Sequence, residues 1–188
     1  MAVLPIRIWG DPVLHAPASP VDEITDEVRT LVADMYDAMD AAPGVGLAAP
    51  QVGVALRIYT YTYEDDEGRP WRGEIINPEL LMAPLEPGAP DEDEESEGCL
   101  SFPGERFPLR RSDRVVVTGI DLEGEPVRID VTGWRARIMQ HEFDHLDGVV
   151  YVDRLSDADW KTAQKIVKKR RWGVPGVSWT PGVDDLEG

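Results

Sequence analysis

At 188 residues, 42% hydrophobic and 29% charged, the chain is long enough for one globular domain with a real core. Its formal net charge of −17 argues against a nucleic-acid backbone or an anionic membrane surface as the main partner. The single cysteine excludes an internal disulfide, and the lack of a secretory signal or of an apolar run of spanning length points to a cytoplasmic location.

The 16 prolines and 17 glycines predict many turns. From the N-terminus to Trp9 the chain alternates loosely, then turns at Gly10-Asp11-Pro12. Pro12, Pro17 and Pro20 keep the segment to Val21 extended. His15, within it, reads as a surface or hydrogen-bonding histidine. From Thr25 to Ala41 the period becomes helical, with Val28, Leu31, Val32, Met35 and Met39 on one face. Thr25 is the expected N-cap, Asp26 and Glu27 suit the positive end of the dipole, and Pro43-Gly44 stops the helix. Gly44 to Gly53 contains closely spaced glycines and one long polar side chain, Gln51. An amide there can donate to a developing oxyanion; the plainer reading is a tight turn between helix and strand.

A strand is predicted within Val54–Tyr63, followed by the acidic turn Glu64 to Gly68. A second, short strand covers Gly73 to Asn77 and is ended by Pro78. Residues 84–96 are rich in proline and glycine, then acidic (Asp91 to Glu95). They read as a mobile, self-repelling surface loop without calcium-loop spacing. Glu97-Gly98-Cys99-Leu100-Ser101 follows. Strands over Arg114 to Asp121 and Val127 to Val131 flank a turn at Glu123-Gly124-Glu125 and form an antiparallel hairpin.

The next helix carries Trp134, Ile138, His141 and His145 at steps of four, three and four, so they share one face. Met139, Phe143 and Leu146 make a second apolar flank, which predicts a buried, central helix ending at Asp147-Gly148. His141-Glu142-Phe143-Asp144-His145 sets two imidazoles one helical turn apart, placed to grip one metal ion, with Glu142 as base for a metal-bound water. A catalytic site of this type needs a third ligand. Cys99 is the best candidate, and two imidazoles with one thiolate suit zinc, iron or cobalt. Ser156 to Trp172 is a further helix with a basic end at Lys165, Lys168, Lys169, Arg170 and Arg171. That end offers a weak ribosome contact, a solvated face being the plainer reading. Residues 173–188 read as a loosely attached Pro/Gly-rich tail.

Three motifs in order, Gly44-Val45-Gly46-Leu47-Ala48-Ala49-Pro50-Gln51, Glu97-Gly98-Cys99-Leu100-Ser101 and Gln140-His141-Glu142-Phe143-Asp144-His145, give a chain that resembles peptide deformylase from about Pro5 to Leu155. Gly10 to Leu14 also resembles that family's N-terminal signature. The resemblance implies a single catalytic domain over residues 1–172. Its fold would be α+β, with mostly antiparallel sheets wrapped around the central helix carrying the motif, and an N-terminal and a C-terminal helix.

The resemblance also implies roles. Cys99, His141 and His145 would bind one divalent metal, iron(II) in the cell and often zinc or nickel in preparations. Glu142 would be general base and then acid. The Gln51 amide and the Leu100 backbone N–H would hold the oxyanion. The reaction would remove the N-formyl group from the initiator methionine of new peptides and release formate. Val45, Gly46 and Gly98 would line the place where the peptide adds as a strand. Trp134 and Ile138 would border the methionine pocket. Arg106 would help hold the peptide, and Glu97 would pair with Arg111. The sequence departs from the family at His15, at Phe102, in the long acidic loop and in the C-terminal helix and tail. Two other readings remain: a small peptidase using the same histidine motif, which commonly takes a third His or Glu, and a non-catalytic metal module, which would need neither Glu142 nor Gln51.

Overall fold

The computed structural model describes residues 3–65, 67–184 and 186. The start of the N-terminal segment, Asp66 of the acidic turn, and Asp185, Glu187 and Gly188 of the tail lie outside the described residues. In chain order the elements are β1 (Ile6–Arg7), α1 (Asp26–Ala41), β2 (Gly46–Ala48), β3 (Ile58–Glu64), β4 (Pro70–Met82), β5 (Ser96–Cys99) and β6 (Phe102–Pro108). They continue with β7 (Arg114–Ile120), β8 (Pro126–Thr132), α2 (Gly133–Leu146), α3 (Asp157–Arg170) and β9 (Ser178–Trp179). The fold is α+β.

Five strands form one antiparallel sheet in the order β2-β3-β4-β7-β8. Its two faces serve two cores. On one, Ile58 and Ile76 pack with Val28, Val32, Met35 and Met39 of α1. On the other, Tyr59, Tyr61, Ile75, Val115 and Val117 pack with Ala136, Ile138, Met139 and Leu146 of α2. Residues 58–61 are therefore all buried, because the strand has a helix on each side. The cap of α1 is as expected: Thr25 Oγ1 accepts from Val28 N at 3.4 Å.

The structure corrects two expectations and adds an element. The strand predicted to stop at Pro78 continues through it to Met82. Residues 70–76 pair with β3 and residues 76–82 with β7, and the register shifts between Ile76 and Glu79. Asn77 adopts φ 51° there, and a strand can carry a proline at such a bulge, where a ladder N–H is not required. The cysteine motif, to which the sequence pattern assigns no element, lies on the hairpin β5–β6, irregular between Gly98 and Cys99. The tail is not loosely attached: β9 pairs with β1, and Trp179 is 3% exposed.

The acidic stretch before β5 is also held at several points. Asp91 Oδ1 accepts from the backbones of Asp93 and Glu94, and Glu95 pairs with Arg110 and Arg137. Among the described residues no helix is long and apolar enough to cross a membrane.

Candidate active site

Helix α2 packs against the five-stranded sheet and turns its histidines toward the β5–β6 hairpin. The sulfur of Cys99 lies 3.3 Å from His145 Nε2. One ligand atom from each of Cys99, His141 and His145 lies within 4.8 Å of the others. Donors around one tetrahedral ion, at bond lengths of about 2.0–2.3 Å, stand about 3.6 Å apart, so the three residues fit a metal. His141 Nδ1 donates to Glu97 Oε2 at 3.0 Å, which leaves Nε2 as its metal-facing nitrogen.

Glu97 is the hub of a buried charge network. Its carboxylate accepts from Arg111 Nε at 2.9 Å and Nη2 at 3.0 Å, and from Arg137 Nη1 at 2.7 Å. Arg111 Nη1 reaches on to Asp144 Oδ2 at 2.6 Å, and Arg154 closes on the same carboxylate at 2.7 and 2.6 Å. Burial would raise the Glu97 carboxyl, but the His141 hydrogen bond and the Arg111 charge outweigh it and hold it well below the usual range. Burial likewise opposes charge on His141, yet the Cys99 sulfur and the Glu97 carboxylate push its imidazole well above its ordinary value. Burial and the neighbouring His141 hold His145 well below it.

Glu142 is buried, and its Oε2 has no hydrogen-bond partner among the described residues. Burial first, and then the Glu97 charge, raise its carboxyl to about 7, against the opposing pull of His141. An orphaned carboxylate oxygen that titrates near neutrality is suited to shuttling a proton. A Cβ built on Gly46 would collide with this carboxylate. The glycine of β2 therefore makes room for the Glu142 side chain.

Gln51 is 1% exposed. Its Oε1 accepts from Ala48 N at 2.8 Å, which turns Nε2 toward Ser101 Oγ at 3.3 Å and Cys99 Sγ at 3.7 Å. These groups open onto a cavity of about 350 Å³ whose wall includes Val45, Gly46, Gly98, Leu100, Arg106, Trp134 and Ile138. Every pocket residue expected from the sequence is thus on one cavity. His145 lies beneath its surface, fully buried. Arg106 is at its exposed side, with Nη2 donating to Ser96 O at 2.9 Å.

The family model for polypeptide deformylase matches residues 3–161. The chain belongs to that family. A peptide deformylase of Rhodococcus opacus (strain B4) is 50% identical over 186 residues, covering 97% of this chain and 95% of the relative. One of Mycolicibacterium paratuberculosis is 50% identical over 189 residues, covering 97% and 96%. Among solved structures, the peptide deformylase of Ehrlichia chaffeensis superposes with a TM-score of 0.79 at 34% identity, over 90% of this chain and 97% of that one. The same organism's deformylase in complex with actinonin gives 0.77 at 37% identity, over 91% and 99%. Membership and the Cys99, His141 and His145 cluster together make the chain a metal-dependent hydrolase of the deformylase family.

Several supporting residues were not legible as such in the sequence. Arg137 lies one turn before His141 on α2 and so shares its face, a spacing that could have flagged it. Asp144 sits inside the histidine motif, where its role as the meeting point of Arg111 and Arg154 depends on a second segment folding over it. Ser101 ends the cysteine motif, but nothing in that motif showed that its hydroxyl would lie beside Gln51 Nε2.

Proposed function

We propose that the enzyme removes the N-formyl group from the initiator methionine of newly made peptides, and that Cys99, His141 and His145 hold its one divalent metal. When bound, that metal lowers the pKa of water toward neutrality and polarises the carbonyl to be attacked. Glu142 takes a proton from the attacking water and returns it to the leaving amine. The formyl C–N bond breaks, formate leaves, and the peptide keeps a free amino group. Gln51 Nε2 and the Leu100 backbone N–H donate to the oxyanion, a kind of contact worth about 2.7–4 kcal/mol per donor. The observation that carries this reading is the Glu142 oxygen, unpartnered among the described residues, on the same cavity as Gln51, Cys99 and His141, with His145 buried just beneath. A closed structural metal site has no use for it.

The peptide lies along Val45, Gly46 and Gly98. Strand β2 is an edge of the five-stranded sheet and β5 pairs only with β6 among the described residues, so both offer backbone to an added strand. The methionine side chain lies toward Trp134 and Ile138, with Arg106 beside the peptide. Glu97 and Arg111 support the site from below. The metal in the cell is iron(II), replaced by zinc or nickel in preparations, and the enzyme works in the cytoplasm. The exposed basic end of α3, Lys165, Lys168, Lys169, Arg170 and Arg171, makes a weak, salt-sensitive contact with the ribosome.

The test is formate release from formyl-Met-Ala, set against cleavage of an unformylated peptide, with metal content measured after anaerobic purification. Absence of formate from metal-replete protein with iron kept reduced refutes the reading. Cleavage of the unformylated peptide instead would favour a peptidase.

A further inference from the structure

The β5–β6 turn is tied to both ends of the chain. Trp9 N donates to Ser101 O at 2.8 Å. From the C-terminal side, the Trp179 indole Nε1–H donates to Leu100 O at 2.8 Å in a buried bond. The tail that delivers Trp179 is itself fastened: Trp179 pairs with Ile6 and Ser178 with Arg7, Ile8 N donates to Val177 O at 3.0 Å, and Gly176 N donates to Asp11 Oδ2 at 3.0 Å.

The peptide unit that Trp179 grips is a particular one. Its carbonyl belongs to Leu100 and its N–H to Ser101, and that N–H donates to Cys99 Sγ at 3.4 Å. The hydrogen bonds thus run from the indole N–H through the Leu100–Ser101 peptide to the sulfur of Cys99. Chained bonds of this kind polarise and orient one another. A peptide plane held at its oxygen and at its nitrogen cannot rotate. Leu100 then has little freedom to swing its own N–H, which belongs to the preceding peptide. A buried indole needs some acceptor for its N–H; here the acceptor is the residue that follows the cysteine ligand.

We propose that Trp179 is a positioning residue for the deformylation reaction: its N–H holds the Leu100–Ser101 peptide so that the Leu100 N–H and the Cys99 sulfur stay in their working orientation. The inference rests on the role given to Leu100 above.

Replacing the Trp179 indole by its benzothiophene isostere keeps the ring's shape and removes the N–H; Trp179→Phe removes the N–H and some bulk. Two measurements follow on each protein, amide hydrogen exchange over residues 99–102 without metal, and kcat and KM for formyl-Met-Ala with metal. For the isostere, exchange over the turn is expected to rise several-fold. Its kcat is expected to fall about tenfold with KM within about twofold, the signature of a lost transition-state interaction. Unchanged exchange, or a kcat equal to that of the parent, overturns the proposal. A loss in the Phe variant alone assigns Trp179 to packing and overturns it as well. Faster exchange in the isostere, in a parent that releases no formate, refutes the deformylase reading while the positioning of the turn stands.

Discussion

Gly46→Ala places one methyl group against Glu142, the proposed base. Position 46 is in an ordinary strand conformation, since it is absent from the residues with positive φ, so the backbone accepts alanine without strain. The effect is steric. The added Cβ would lie 2.6 Å from Glu142 Cδ and 2.8 Å from Cγ, whereas carbon atoms rest at about 3.5–4.0 Å. The carboxylate must therefore retreat by about 1 Å, and a misplacement of about 1 Å costs about 10²-fold in rate. That is about 2.7 kcal/mol of barrier. The metal ligands are not touched, so metal content should equal that of the parent. The assay is kcat for formate release beside metal analysis of the same sample. Repeating Gly46→Ala in a Glu142→Asp background sharpens it, because the shorter side chain withdraws from the methyl and the second loss should be much smaller than the first. A kcat within twofold of the parent, or equal losses in both backgrounds, would refute the steric account.

Glu142→Ala should keep its metal and lose about 10²–10⁴-fold in kcat; loss of metal would contradict its assignment as the base. Cys99→Ala should bind metal weakly because a thiolate ligand is gone, and unchanged content would remove Cys99 from the site. Glu97→Gln should lower metal affinity by about 10–100-fold, since His141 loses its carboxylate partner. It should also destabilise the fold, because Arg111 and Arg137 keep buried charges with less to balance them. A thermal melt and a metal titration read the two effects separately, and wild-type values in both would show that the network is dispensable.

Much of the molecule follows from local pattern. The apolar face of α1, the Thr25 cap and the β7–β8 hairpin around Gly124 follow from short-range pattern, and the structure places them there. On α2, Ile138, Met139 and Leu146 are in the core as expected, whereas Trp134 is 42% exposed and Phe143 stands outside both cores. The paired histidines also follow from short-range pattern, because a helix brings positions four apart together without help from the rest of the chain. Cys99 and Gln51 were legible only as chemistry awaiting a partner.

What the tertiary structure decided was everything that depends on two distant segments meeting. Pro78 ended a strand by local rules, yet a bulge between two different partners carries the strand through it. The tail looked loose because glycine, proline and acid say nothing of Trp179, whose burial and whose bond to Leu100 exist only once β9 lies on β1. Glu97 lies on β5 and Arg111 just after β6, in a stretch whose sequence shows no periodicity. Their closure with Arg137, Asp144 and Arg154 requires α2 to be packed beneath the hairpin. Residue type and spacing along the sequence could name the metal-binding cluster and the proposed base. The room for that base beside Gly46, the aim of Gln51 Nε2 and the support under His141 are distances between elements, and only packing sets those.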